Sequence, residues 1–203
     1  MSLLILIRHG ETGVNIIGKI HKHKDTEKLT KNGISQMEKT SDALRVYGPT
    51  SVYCSKTVRA KQSAKIIADR LKIPLFEMEG LEERNFGDYS GLSYQEMKEK
   101  AGLESMSFSQ RYTFYPPNGE SWKEAEHRLL KSLYKILEAN KDENLVVVTH
   151  GGSIRIYMPT LLGVGKEESY KYDPDNASIT VFDYTDSKFK QIIYNDTTHI
   201  RNK

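Results

Sequence analysis

Leu3-Leu4-Ile5-Leu6-Ile7-Arg8-His9-Gly10 and Leu145-Val146-Val147-Val148-Thr149-His150-Gly151-Gly152 carry the same message twice. Each is a short unbroken apolar run that ends in a histidine followed by glycine. A run of this length with no polar alternation reads as a strand covered on both faces, the pattern of a parallel sheet between helix layers. The stretches between and around them alternate in type. Helical spacing predicts a helix over 31–46, capped by Thr30, with Ile34, Met37, Ser41 and Leu44 on one face. A strand is predicted at Ser51–Ser55, a helix over 57–71 with Ala60, Ala64, Ile67 and Leu71 inward, and a weak strand at Pro74–Met78. Ser93-x-x-Glu96 and Ser121-x-x-Glu124 are capping boxes. The second opens a helix to about residue 140 that buries Trp122, Ala125, Leu129, Leu133 and Ile136. A helix over Gly152–Leu162 should kink at Pro159. Ser178–Tyr184 and Phe189–Tyr194 read as a closing hairpin. The fold expected is α/β, a three-layer α/β/α sandwich with a mostly parallel central sheet, in one domain over 1–203.

Composition narrows the classes. The chain has 203 residues, 37% hydrophobic and 28% charged, which excludes collagen-like and disordered chains. Cys54 is the only cysteine. It therefore allows no intrachain disulfide and no cysteine-cluster metal site, and it points to the reducing cytoplasm. Thirty Lys and Arg against 27 Asp and Glu leave a net +3 with the signs interspersed. That is a weak footprint for a nucleic-acid partner, so none is expected. No apolar run has the length of a membrane span, and the start reads as a strand, not a signal peptide.

In an open α/β sheet, ligands bind beyond the carboxyl ends of the strands. Two such ends carry His-Gly, so neighbouring strands would aim both imidazoles into one crevice. Either histidine alone reads as well as a hydrogen-bonded structural residue. A zinc site is a third reading, but it lacks a third ligand at the usual spacing. His21-x-His23 is nearby, but the flanking Lys19, Lys22 and Lys24 would repel a cation there. Arg8 beside His9 favours an oxyanion, because a guanidinium offers a planar fork to phosphate. Arg59 follows just inside a helix that succeeds a strand, although alone it reads sooner as a surface helix residue.

Six segments in order then match one family. Arg8-His9-Gly10-Glu11-Thr12 with Asn15, Leu29-Thr30-x-x-Gly33, Ser55-x-x-x-Arg59-Ala60, Leu81-x-Glu83-x-x-x-Gly87, Pro117-x-Gly119-Glu120-Ser121 and Thr149-His150-Gly151-Gly152 are the motifs. The chain resembles the histidine phosphatase superfamily, also called phosphoglycerate mutase-like, over nearly its whole length. The resemblance implies that His9 is the nucleophile and forms a phosphohistidine. It implies that Arg8, Arg59 and His150 cradle the phosphoryl oxygens, helped by Asn15 and the backbone of Gly151. Glu83, chosen over Glu82 by the motif register, would protonate the leaving oxygen and then activate water. No metal or other cofactor is implied. The substrate implied is a small phosphorylated metabolite, with inorganic phosphate as product.

Three features favour a phosphatase over a mutase. Gly91 to Pro116 spans only about 25 positions, too few for the mutase insertion. Gly91-Leu92-Ser93-Tyr94 lacks the mutase lysine, and Arg111 stands alone where mutases carry an arginine pair. A phosphoglycerate mutase and an inactive phospho-ligand or protein-binding member are the alternatives. A binder needs no leaving-group acid, so the intact set Arg8, His9, Arg59, Glu83 and His150 argues against the last. His21 and Lys22 are read either as solvated loop residues or as a cationic pocket mouth that draws substrates with a second acidic group. Phe108, Tyr112, Phe114 and Tyr115 either form a lid over the substrate or pack on the core. Glu11 is expected to hydrogen-bond near a helix start, Cys54 to be an inert core thiol, and His127 and His199 to be ordinary surface residues.

Overall fold

The computed structural model describes residues 2–22 and 26–201. Strands β1 (Ser2–Arg8), β2 (Ser51–Cys54), β3 (Leu75–Glu77), β4 (Leu145–Thr149), β5 (Ile179–Thr185) and β6 (Lys188–Asp196) form one sheet in the order β3-β2-β4-β1-β5-β6. The first four are mutually parallel, and the hairpin β5–β6 is antiparallel to β1. The two apolar runs are direct neighbours, with Arg8 opposite Thr149.

Side-chain alternation along β1 divides the core. Leu4 and Leu6 pack with β4 residues Leu145 and Val147 and with α6 (Trp122–Ala139) and α7 (Gly151–Leu162) on one face. Ile5 and Ile7 pack with Val146 and Val148 and with α2 (Lys31–Leu44) and α3 (Val58–Leu71) on the other. Residues 4–7 are 0% exposed, so this strand is committed on both faces, as its unbroken apolar run requires. Complete burial of one such side chain stabilises the fold by roughly 1.5–3 kcal/mol. Among the described residues no helix is long and apolar enough to cross a membrane.

The local signals hold with small shifts. Thr30, Ser93 and Ser121 cap α2, α4 (Tyr94–Lys100) and α6. Two further capping boxes were not expected from the sequence: Thr12 with Asn15, and Ser107 with Gln110, which opens a short α5 (Phe108–Thr113). One inward assignment fails: Ile34 is 41% exposed. The buried stripe of α2 runs through Gly33, Met37, Thr40, Ser41 and Leu44, which leaves Ile34 at its margin. Gly33 takes the contact position because residues 10–11 cross it closely. A Cβ there would meet Glu11 O well inside contact, and Glu11 N at 2.9 Å. Gly10 is matched to the same crossing, since its Cβ would meet Gly33 O at 2.6 Å. Glu11 then accepts from Thr30 Oγ1 (2.7 Å) and Asn32 Nδ2 (3.1 Å) at the start of α2. α7 runs through Pro159 to Leu162.

His199 is not an ordinary surface residue. Its Nε2 lies 2.9 Å from Thr40 Oγ1 and 3.1 Å from Ala177 O, packing the C-terminal turn against α2 and the start of β5. His127 is exposed. Cys54 is fully buried, and burial pushes its thiol pKa up to about 12. His23 and Lys24 lie outside the described residues.

Candidate active site

The carboxyl ends of β1 and β4 open onto a cleft of about 480 Å³, with Arg59 and His150 packed behind His9 outside its lining. His9 leaves β1 and His150 leaves β4 as the residue before α7. The parallel pairing of these strands sets their rings 5.2 Å apart in an edge-on arrangement. Arg59, in the first turn of α3 after β2, reaches between them. Its Nε donates to His9 Nε2 (3.2 Å) and its Nη2 to His150 Nδ1 (3.2 Å). All three side chains are 2% exposed or less.

This network assigns the tautomers. A carbonyl only accepts, so His9 Nδ1 carries the proton it donates to Gly10 O at 2.8 Å. His9 Nε2 is therefore the lone-pair nitrogen. His150 accepts at Nδ1, so its Nε2 carries the proton and donates to Ser55 Oγ at 3.0 Å. Burial first, and then the charges of Arg59 and Arg8, hold the His9 pKa well below the usual imidazole range. Burial first, then Arg59 and His9, does the same for His150. Both rings stay neutral at ordinary pH, which is the state a nucleophilic imidazole needs.

Arg8 ends β1 and donates from Nη1 to Pro174 O at 2.6 Å. Its Nε is buried with no hydrogen-bond partner among the described residues. Buried donors are nearly always partnered, so an orphan in a cleft marks a place prepared for an acceptor. The guanidinium lies over Gly151, where a Cβ would meet Arg8 Nε at 3.2 Å and Cζ at 3.3 Å.

Glu83 hangs from the loop after β3 onto the amino end of α7. Its Oε2 accepts from Gly152 N at 3.0 Å and its Oε1 from Arg84 N at 3.0 Å. The carboxylate sits where a Cβ on Gly152 would be. Glu82 turns away, accepting from Gly80 N at 2.7 Å and Lys56 N at 3.3 Å. Asn15, in α1 (Gly13–Ile16), also lines the cleft.

Arg8, His9, Asn15, Glu83 and Gly151 thus share one cleft wall with His21, whose ring is 5.8 Å from that of His9. Lys22 is exposed and does not line the cleft; Lys19 does. None of the four aromatic residues lines the cleft: Tyr115 is exposed and the others pack on neighbouring rings. Phe108 meets Tyr112, Trp122 and Tyr170, and Phe114 stacks on Tyr89. Instead Phe86 and Tyr94 supply the rings at the mouth. Arg155, Asp173 and Asn176 complete the lining and were not anticipated. Arg155 is one helical turn beyond Gly151, so its place on that face was readable from the period. Nothing in the local pattern linked Asp173 or Asn176 to residue 9. Among the described residues no group of three or more His, Cys, Asp or Glu is arranged to hold a metal ion.

A strand-end histidine pair bridged by a buried arginine, beneath a carboxylate on a helix amino end, sets this chain within a known group of enzymes. The family model of the histidine phosphatase superfamily (branch 1) matches residues 4–197. A metal-independent phosphoserine phosphatase of Arabidopsis thaliana is 31% identical over 202 residues, covering 97% of this chain and 82% of that protein. A 2,3-bisphosphoglycerate-dependent phosphoglycerate mutase of Cytophaga hutchinsonii is 30% identical over 190 residues, covering 91% and 89%. A mutant phosphoserine phosphatase of Entamoeba histolytica, solved with phosphoserine, superposes with a TM-score of 0.86 at 27% identity, covering 98% and 99%. The chain belongs to the histidine phosphatase superfamily. Its enzyme class there is that of the phosphatases.

Proposed function

We propose that this phosphatase hydrolyses a small phosphorylated metabolite, without a metal, through a phosphohistidine on His9. The observation that carries the reading is the Arg59 bridge. One buried guanidinium spans His9 Nε2 and His150 Nδ1 while Gly10 O holds the His9 proton on the opposite nitrogen.

Arg59 Nε shifts from His9 Nε2 to a phosphoryl oxygen, and the freed Nε2 lone pair attacks phosphorus in line with the leaving oxygen. Arg59 and Arg8, with His150, Asn15 and the amide of Gly151, take the equatorial oxygens and stabilise the charge that spreads over them. Glu83 gives its proton to the leaving alkoxide as the P–O bond breaks, a contribution of typically 10²–10⁴-fold. The resulting carboxylate then takes a proton from water, whose oxygen attacks the phosphohistidine. Inorganic phosphate leaves, and both His9 and the protonated Glu83 are regenerated. Burial of the two imidazoles supports the first step, because it keeps the attacking nitrogen unprotonated.

A mutase differs only in the acceptor, a second hydroxyl in place of water. The short 91–116 stretch, and the lack of the mutase lysine after Leu92 and of an arginine pair at Arg111, support water. Phosphate release from p-nitrophenyl phosphate in the presence of a chelator tests the reading, for wild type and His9→Ala. Turnover in the wild type, an acid-labile phosphoenzyme and loss of both in the variant are expected. No turnover sinks the hydrolase reading, and loss with chelator sinks the metal-free one. Interconversion of phosphoglycerates outpacing phosphate release would establish the mutase.

A further inference from the structure

Asn15 faces the cleft, but an amide presents either a donor or an acceptor depending on how it is turned. With its oxygen outward it would repel a phosphoryl group; with its nitrogen outward it would bind one. Its orientation is decided by a second amide 161 positions away. Asn176 Nδ2 lies 3.0 Å from His9 O and 3.2 Å from Asn15 Oδ1.

The main-chain carbonyl of His9 can only accept, so it fixes which end of the Asn176 amide points inward: the NH₂. That group has two hydrogens. One goes to His9 O, and the other requires an acceptor at Asn15, which is Oδ1. Thr12 adds its N–H (3.1 Å) and hydroxyl (2.9 Å) to the same oxygen. Asn15 Oδ1 is thereby saturated. Asn15 Nδ2 makes no hydrogen bond among the described residues and is left as a donor toward the cleft.

The turn that carries Asn176 is itself clamped to the same strand end. Ala177 N donates to Arg8 O (3.0 Å) and His9 O (3.2 Å), and Thr40 Oγ1 donates to Ala177 O (3.2 Å). Ala177 is 0% exposed and adopts φ 59°. A left-handed conformation is uncommon for a residue with a Cβ, so surrounding contacts must hold it.

We propose that Asn176 is a positioning residue for phosphoryl transfer. It anchors the main chain of His9 and turns the Asn15 amide so that its NH₂ meets the phosphoryl oxygens. This rests on the proposed function, and it assigns to residue 176 a part in phosphate recognition without contact to the phosphate.

The test is a double-mutant cycle of wild type, Asn15→Ala, Asn176→Ala and the double variant. It is read by the dissociation constant of inorganic phosphate and by kcat/KM on p-nitrophenyl phosphate. Removing an oriented donor of this kind costs about 10²-fold in rate. Asn176→Ala is expected to lose about tenfold in both readouts, because Thr12 still holds Asn15 in part. The double variant is expected to match Asn15→Ala within about threefold, since there is then no amide left to orient. Losses that multiply would overturn the proposal and leave Asn176 a purely structural residue. Should Asn176→Ala fail to fold, the isosteric Asn176→Asp serves. It sets oxygens against His9 O and Asn15 Oδ1, and phosphate binding equal to wild type would equally overturn the idea. A wild type that neither binds phosphate nor turns over the ester refutes the proposed function instead.

Discussion

Gly152→Ala separates the role of the Glu83 carboxylate from everything around it. The added methyl would meet Glu83 Oε1 well inside contact, with Glu83 Cδ at 3.1 Å and Oε2 at 3.2 Å. Ordinary carbon contacts lie near 3.5–4.0 Å, so the carboxylate must retreat by about 1 Å and give up its bond from Gly152 N. The retreating group is the end of a flexible side chain, so the fold should tolerate it. Alanine also replaces glycine in a helix, a change worth up to about 1 kcal/mol in favour of stability. A misplacement of about 1 Å at a catalytic group can cost about 10²-fold. That loss should fall on esters whose leaving group needs a proton. The kcat/KM for an alkyl phosphate should drop about 10²-fold, while that for p-nitrophenyl phosphate, whose leaving group departs as a stable anion, should drop less than about tenfold. The melting temperature should not fall. Equal losses on both esters, or none on either, would refute the assignment of Glu83 as leaving-group acid.

Stability should depend on pH through the two buried imidazoles. Their folded-state pKa values are depressed below the unfolded value near 6.5, so the unfolded chain binds more protons in acid. The associated stability is full above pH 7 and declines as pH falls below about 6.5. The fold should therefore be less stable at pH 5 than at pH 7. Urea titrations at the two pH values measure this, and replacing both histidines by asparagine should reduce it, leaving the part due to His199, whose pKa burial also lowers. Cys54 should not react with an aromatic disulfide reagent at pH 8 in the native protein. One thiol should appear in denaturant, because its pKa of about 12 and complete burial withhold the thiolate. Gly33→Ala should destabilise the fold by several kcal/mol by chemical denaturation, because here the methyl meets the backbone of residue 11, which cannot swing aside.

Much of the site was legible because its chemistry sits at the ends of elements that announce themselves locally. His9 and His150 follow apolar runs, and Arg59 and Ala60 open a helix with a plain buried stripe. Lys22 and Lys19 show where such reading stops. Both are lysines of one basic loop, but only Lys19 faces the cleft. A loop has no period from which a side chain's direction can be inferred. The aromatic segment failed similarly: Phe108 and Tyr112 are equally suited to a lid or to a cluster, and Trp122 and Tyr170 decided for the cluster.

Hydrophobic periodicity determined the type of the longer elements, the two-faced burial of β1 and β4, and so a layered α/β fold with histidines at strand ends. These follow from a pattern repeated within a few residues. The sequence motifs further named Glu83 over Glu82. Only the tertiary structure decided that β1 and β4 are neighbours, that Arg59 joins His9 to His150, and that Asn176 turns Asn15. Those contacts span 50, 91 and 161 positions. They depend on which surfaces meet when the layers close and on which atom of an amide or imidazole must donate, and neither is written in the spacing of residues along a single element.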